Sequence, residues 1–119
     1  MNFKPDISIL PGFLFIFDID YPHSESVEEL ICWADVNDCS DLSNVFDSVI
    51  RPEFLSYSEG DKCWLIETIA SCLDENNSFE GVFAKRSLLF SDEIEDARMF
   101  MSTLLERLRA YRQETITGE

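Results

Sequence analysis

Residues 18–61 carry twelve carboxylates (Asp18, Asp20, Glu25, Glu28, Glu29, Asp35, Asp38, Asp41, Asp47, Glu53, Glu59 and Asp61) against one arginine, Arg51. Their local charge of −11 accounts for most of the formal −15 of the whole chain. Apolar residues recur among these acids at three- and four-residue spacings, so the stretch must bury one set of side chains while keeping the other in water. Amphipathic helices satisfy both demands at once. A folded surface this negative repels itself, and a basic partner is the natural compensation.

The chain has 119 residues, 45% of them hydrophobic and ten of them Phe, which argues against disorder despite the charge. That length suits a single domain, 1–119, with a core that needs neither disulfide nor metal. The opening MNFKPDISILPG lacks the long apolar run and small-residue cleavage site of a signal peptide. No stretch approaches the roughly 18 apolar residues of a membrane span. A cytoplasmic location is therefore expected. Cys32, Cys39, Cys63 and Cys72 form no CxxC pair, and His23 is the single histidine. Free thiols used as small packing residues are expected, with no zinc site and no cofactor.

Reading along the chain, Pro5, Pro11 and Gly12 limit any helix in residues 1–12 to a short one ending before Pro11. The run FLFIF, residues 13–17, is too short for periodicity to separate strand from helix, and its aromatic and β-branched content leans towards strand. Ser26 and Glu29 fit a capping box, after which Val27, Leu30, Ile31 and Ala34 share one helical face. Ser40 or Asp41 can cap a following helix built on Leu42, Val45, Phe46, Val49 and Ile50, with Pro52 ending it. Phe54, Leu55 and Tyr57 then fall in a connection. Asp61 can cap a central helix with Leu65, Ile69, Cys72 and Leu73 on one face and Trp64 and Ile66 widening it. Residues 82–90 read as a short strand or an irregular segment. The final helix is the clearest: Ser91 caps it, and Ile94, Ala97, Met101, Leu104, Leu105, Leu108 and Tyr111 hold one face. Residues 113–119 are expected to fray. The fold class is mainly α, a domain of about four helices with room for a minor β element; α+β is the alternative.

One enzyme motif can be seen. The apolar run ending in Asp18-Ile19-Asp20 resembles the first motif of haloacid-dehalogenase-type phosphotransferases. That resemblance implies Asp18 as a strand-borne nucleophile, Asp20 as general acid and Mg²⁺ between them and a phosphate, with Lys85 and the Asp92-Glu93 pair as later counterparts. Tyr21-Pro22 stand where the family has a small residue followed by Thr or Val, and the chain lacks the strand–helix alternation of that fold. His23 sits in a turn, the four glycines stand singly, and the charge opposes direct nucleic-acid binding. A non-enzymatic protein is expected.

Binding by charge remains. Asp35, Asp38 and Asp41 surround the turn between the second and third helical segments, with Glu28, Glu53 and Glu59 flanking. Trp33 lies off its helix's apolar stripe and Tyr57 lies in a connection, so these two are the expected aromatic anchors, whereas Phe46 and Trp64 fit core packing. The run PGFLFIFDIDYPHSESVEELI is similar to the start of one group of bacterial contact-dependent growth inhibition immunity proteins. Gly12-Phe13, Phe17-Asp18, Asp20 and Ser26-Val27-Glu28-Glu29 carry the likeness, together with the closing RMFMSTLLERLRAYR. Phe15 and Ile16 replace the group's usual His-Gln. The resemblance implies a small, mainly helical cytosolic protein that binds and neutralises one cognate toxin domain, often a nuclease. The charge argument adds that an acidic protein can plug a basic cleft by standing in for phosphates. Two other functions fit the composition: a secretion or assembly chaperone, and the Asp18/Asp20 phosphatase.

Overall fold

The computed structural model describes residues 6–18, 22, 24–75, 79–84, 90 and 94–117. It is mainly α, and none of the described residues lies in a β-strand. In chain order, a 3-10 turn (Ile7–Ile9), α1 (Leu10–Phe13) and a second 3-10 turn (Leu14–Phe17) form a short helical coil. There follow α2 (Glu25–Trp33), α3 (Cys39–Val45), a π-helical turn (Phe46–Ile50), α4 (Arg51–Leu55), α5 (Glu59–Asp74), α6 (Glu80–Ala84) and α7 (Ala97–Thr117).

The strand expected at 13–17 is thus helical. Leu10, Phe13, Leu14 and Phe17 repeat at three- and four-residue intervals, and all four are buried, so this spacing overrides the local strand preference. Pro11 sits in the first turn of α1, where its missing N–H costs nothing, so it helps start a helix that it was expected to forbid. Asp6 opens the segment: its carboxylate accepts the Ser8 N–H (3.0 Å) and hydroxyl (2.7 Å), which hold it below the usual carboxylate range. The segment 82–90 begins helically in α6, and residues 85–89 lie outside the described set.

Helix starts fall at different caps from those the sequence suggests. Ser24, not Ser26, accepts the Val27 N–H at 3.3 Å, so no Ser26–Glu29 capping box forms. Asp38 occupies the N-cap of α3 without a side-chain bond. Ser58 caps α5 by accepting the Asp61 N–H at 3.2 Å. Asp96 accepts the Met99 N–H at 3.0 Å at the start of α7, and Ser91 lies outside the described residues. α7 is helical through Thr117.

Pro52 does not end the third helical segment. The Arg51 N–H bonds to Phe46 O, an i→i+5 link that widens the turn ahead of the proline. Pro52 then takes an early position in α4, and Phe54, expected in a connection, is fully buried.

The long helix α7 packs on α3, the π turn, α4 and α5, burying Phe100, Met101, Leu104, Leu105, Leu108 and Tyr111. α5 runs antiparallel to it. Glu59 at the start of α5 pairs with Arg112 (3.7 Å), and the Arg98 guanidinium donates to Leu73 O (2.8 Å) near the opposite end. Leu65, Ile69 and Cys72 fill the α5 face, and so does Lys62, only 5% exposed, whose aliphatic stem extends that stripe. The radius of gyration, 13.8 Å, is close to the ~13.5 Å expected for a chain of this length.

Aromatic rings connect the layers. Phe100 meets Phe46, Phe83 and Phe90 edge-on at centroid distances of 5.3, 5.1 and 6.1 Å, and Phe17 joins Phe46 and Phe90. Phe13, Tyr57, Phe54 and Tyr111 form a second chain, each about 6 Å from the next. Phe79, fully buried before α6, adopts a left-handed φ of 63°, a conformation that burial must hold in place.

One carboxylate ties the third segment to α7. Asp47 Oδ1 accepts from Arg107 Nε at 2.9 Å and from the Tyr111 hydroxyl. Burial, followed by the neighbouring carboxylate, raises the Tyr111 phenol well above its ordinary pKa. Asp47→Ala leaves a buried phenol without its acceptor and should cost about 1–3 kcal/mol in urea unfolding, with Tyr111→Phe at the lower end. A raised folded-state pKa means that Tyr111 supports the fold fully below the unfolded value near 10. That support is lost as pH rises above it. Absorbance titration at 295 nm should therefore show one tyrosine ionising only together with loss of helical circular dichroism, and Tyr111→Phe should abolish that step.

Candidate partner-binding face

The α2–α3 junction presents the most distinctive surface. Trp33, at the last position of α2, is 86% exposed and is the large hydrophobic side chain left in solvent among the described residues. Ile31 is fully buried, and Val27, Leu30 and Ala34 pack partly against the core, so α2 is docked by one face and Trp33 projects from the other. Glu25 and Glu29 lie eight and four residues before it, on the same outward stripe, and both are exposed. Glu28, predicted from the sequence, is exposed beside that stripe. Glu25 and Glu29 are not among the contact residues expected from the sequence; the i, i+4, i+8 spacing to Trp33 is the signal that finds them.

The turn after Trp33 is built from its own acids. Asp35 Oδ1 accepts the Asn37 N–H at 3.0 Å, and Asp41 Oδ2 accepts the Asp35 N–H at 3.0 Å. Asn37 Oδ1 in turn accepts the Glu95 N–H at 2.9 Å, and Val36 is completely buried. The turn is therefore anchored both to the core and to the segment before α7. Asp35 and Asp41 spend part of their hydrogen-bonding capacity on it, whereas Asp38 is exposed and its carboxylate makes no capping bond. Among the described residues no ion pair is formed by Glu25, Glu28, Glu29, Asp35 or Asp38.

Five of the described bases are engaged elsewhere. Arg51 pairs with Glu114, Arg107 with Asp47 and Arg112 with Glu59, while Arg98 caps a carbonyl and Lys62 is buried. These pairs hold α4 and α5 to the second half of α7.

The eight predicted contact residues consequently split into two groups. Trp33, Asp35, Asp38 and Asp41, with Glu28, lie where Asn37 and Cys39 meet residues 95–99. Glu53, Tyr57 and Glu59 lie at the α4–α5 junction, where Glu59 reaches Arg112. Thirteen residues of α7 separate Met99 from Arg112, or about 20 Å along the helix axis. Tyr57 is not a free-standing anchor: it is half-buried against Phe13 and Phe54. Phe46 is fully buried, as expected, and Trp64 is half-buried.

Asp18, the first residue of the phosphotransferase-like motif, is 4% exposed and follows a 3-10 turn, its N–H bonded to Phe15 O at 2.9 Å. The strand end on which that resemblance places its nucleophile is not formed at 13–17. Asp20, His23, Lys85, Asp92 and Glu93 lie outside the described residues. Of the cysteines, Cys72 is buried, Cys32 and Cys63 are half-buried, and Cys39 is exposed. Cys39 therefore departs from the core-filler expectation; its sulfur lies 3.5 Å from that of Met99. No helix among the described residues is long and apolar enough to cross a membrane.

No protein-family model, curated protein or solved structure matches the chain.

Trp33 and Tyr57 should separate cleanly in stability measurements. Trp33→Ala removes a side chain that is 86% exposed and should shift urea unfolding by no more than about 0.5 kcal/mol. Tyr57→Ala opens the ring chain between Phe13 and Phe54 and should cost about 1–3 kcal/mol, the smaller part of the range for aromatic truncation because the ring is only half-buried.

Proposed function

We propose that the protein is a non-enzymatic, cytoplasmic immunity protein that binds a basic toxin domain, of the nuclease kind, and neutralises it through the acidic face at the α2–α3 junction. The observation that carries this is the pairing of an exposed tryptophan with carboxylates that form no ion pair among the described residues. Tryptophan is the residue most enriched at interface hot spots, and here it lies at the centre of negative charge. Glu25, Glu28, Glu29, Asp35 and Asp38 around it would raise the on-rate of a cationic partner and resist the wrong ones. The turn is pre-anchored by Asn37 and Val36, so little ordering entropy is spent on binding. A surface of this sign would dock in the cleft where a nuclease receives phosphates. The primary contacts are thus Glu25, Glu29, Trp33 and Asp38, with Asp35 and Asp41 shaping the turn. Glu53, Tyr57 and Glu59 belong to a second area about 20 Å away.

The test is affinity capture from the native host across a salt series, followed by an activity assay of any basic protein recovered. A salt-released basic enzyme whose activity falls stoichiometrically on adding the protein is the expected result. A salt-resistant apolar client would point instead to a chaperone. With the partner in hand, Glu29→Lys plus Asp38→Lys should weaken binding at least about tenfold, through on-rate and through lost contacts. Glu106→Lys, on the exposed side of α7, should leave it within about twofold. Equal losses from both variants would remove the face from consideration.

A further inference from the structure

A cavity of about 270 Å³ opens between the N-terminal coil and α5, lined by Ile9, Gly12, Phe13, Tyr57, Asp61, Trp64 and Leu65. Three of its walls are aromatic rings from three separate elements, and the charged group among them is a carboxylate. The volume lies just below the range of about 300–1,000 Å³ typical of drug-sized ligands, which suits a single inserted side chain. Phe13 is buried, and Tyr57 and Trp64 are half-buried.

We propose that this cavity receives the cationic head of a lysine or arginine side chain offered by a basic protein partner. Aromatic faces attract a cation placed within about 6 Å of the ring centre, tryptophan most strongly, and they do so best where water is excluded. Asp61 supplies the opposite charge at the wall, and Ser58 fixes its position by accepting the Asp61 N–H at the first turn of α5. An aliphatic occupant would fill the rings but would leave the Asp61 charge unused. A nucleobase could stack there, but its phosphates would meet a chain of net charge −15. A guanidinium or ammonium group satisfies rings and carboxylate together. The proposal deepens the immunity reading, in that the toxin would insert one basic side chain here while Trp33 and its acids engage a second area.

The test needs no toxin. The two tryptophan indole N–H resonances, assigned with Trp33→Phe, are followed by NMR during titration with the tripeptide acetyl-Gly-Arg-Gly-amide. The citrulline counterpart, which has nearly the same shape without the charge, is the control. The Trp64 signal should shift to saturation with the arginine peptide and hardly move with citrulline. Asp61→Asn, an exposed position whose cap bond is made by the backbone, should weaken that binding about fivefold, the size of one exposed charge contact. Gly12→Leu adds volume at the cavity wall from a position where an added Cβ meets no atom within 4 Å, and it should abolish the Trp64 shift in a folded protein. No saturable shift, an equal response to citrulline, or parallel movement of Trp33 and Trp64 would overturn the proposal. A silent cavity in a protein that still captures and inhibits a basic enzyme would sink only the cavity; a responsive cavity without such an enzyme would sink only the immunity role.

Discussion

The apolar core of this protein, rich in phenylalanine rings, must outweigh the mutual repulsion of an acidic shell. Among the described residues, Phe13, Phe17, Phe46, Phe54, Phe79, Phe90 and Phe100 are buried. A ring taken fully out of water removes about 150–250 Å², which at ~25 cal/mol per Å² is an upper limit of about 4–6 kcal/mol each. Two exposed like charges 10 Å apart in water repel by about 0.4 kcal/mol before salt screens them. A handful of rings thus tolerates a large number of surface carboxylates, provided those carboxylates stay wet.

That condition explains where the few bases go. Arg51, Arg107 and Arg112 bind α4, the π turn and α5 to the C-terminal half of α7, and the most protected of these links also holds the Tyr111 hydroxyl. Charge compensation is concentrated where helices must be held together. Among the described residues it is missing at the α2–α3 junction, where the acids outline a turn and surround an indole. The two ends of α7 therefore differ in character: among the described residues, one is bound by ion pairs to its neighbours, and the other is bordered by carboxylates that form none.

The long-range plan was legible because it rests on periodicity. Most of the apolar face of α5 and α7 was readable, down to Leu108 and Tyr111, since over four or five turns only a helix places such residues together, but Phe100 on α7 and Lys62 on α5 were not. Helix starts were not legible. In a chain rich in Ser and Asp, many positions can cap, and the choice falls where the backbone must turn to aim the apolar face inward; hence Ser24 rather than Ser26, and Ser58 rather than Asp61. The coil at 10–17 was misread because five apolar residues carry no period of their own until Leu10 is counted with them. The candidate site was half legible: the acids and Trp33 can be seen in the sequence, but not the length of α7 lying between the two groups.

The wide turn at Phe46–Ile50 amounts to one extra residue spliced into an otherwise continuous rod. In an ideal α-helix each residue advances the azimuth by about 100°, so the splice resets the phase of everything after it. α3 and α4 both face α7, but their apolar stripes are written in two different frames. The extra residue acts as a gear offset that brings Phe54 round to Tyr111 after Phe46 has already met Phe100. Pro52, by forbidding the tighter turn, locks that offset into the covalent chain. Loop length and helix length are the usual variables by which a bundle is tuned; here the adjustment is angular and is stored in a single residue.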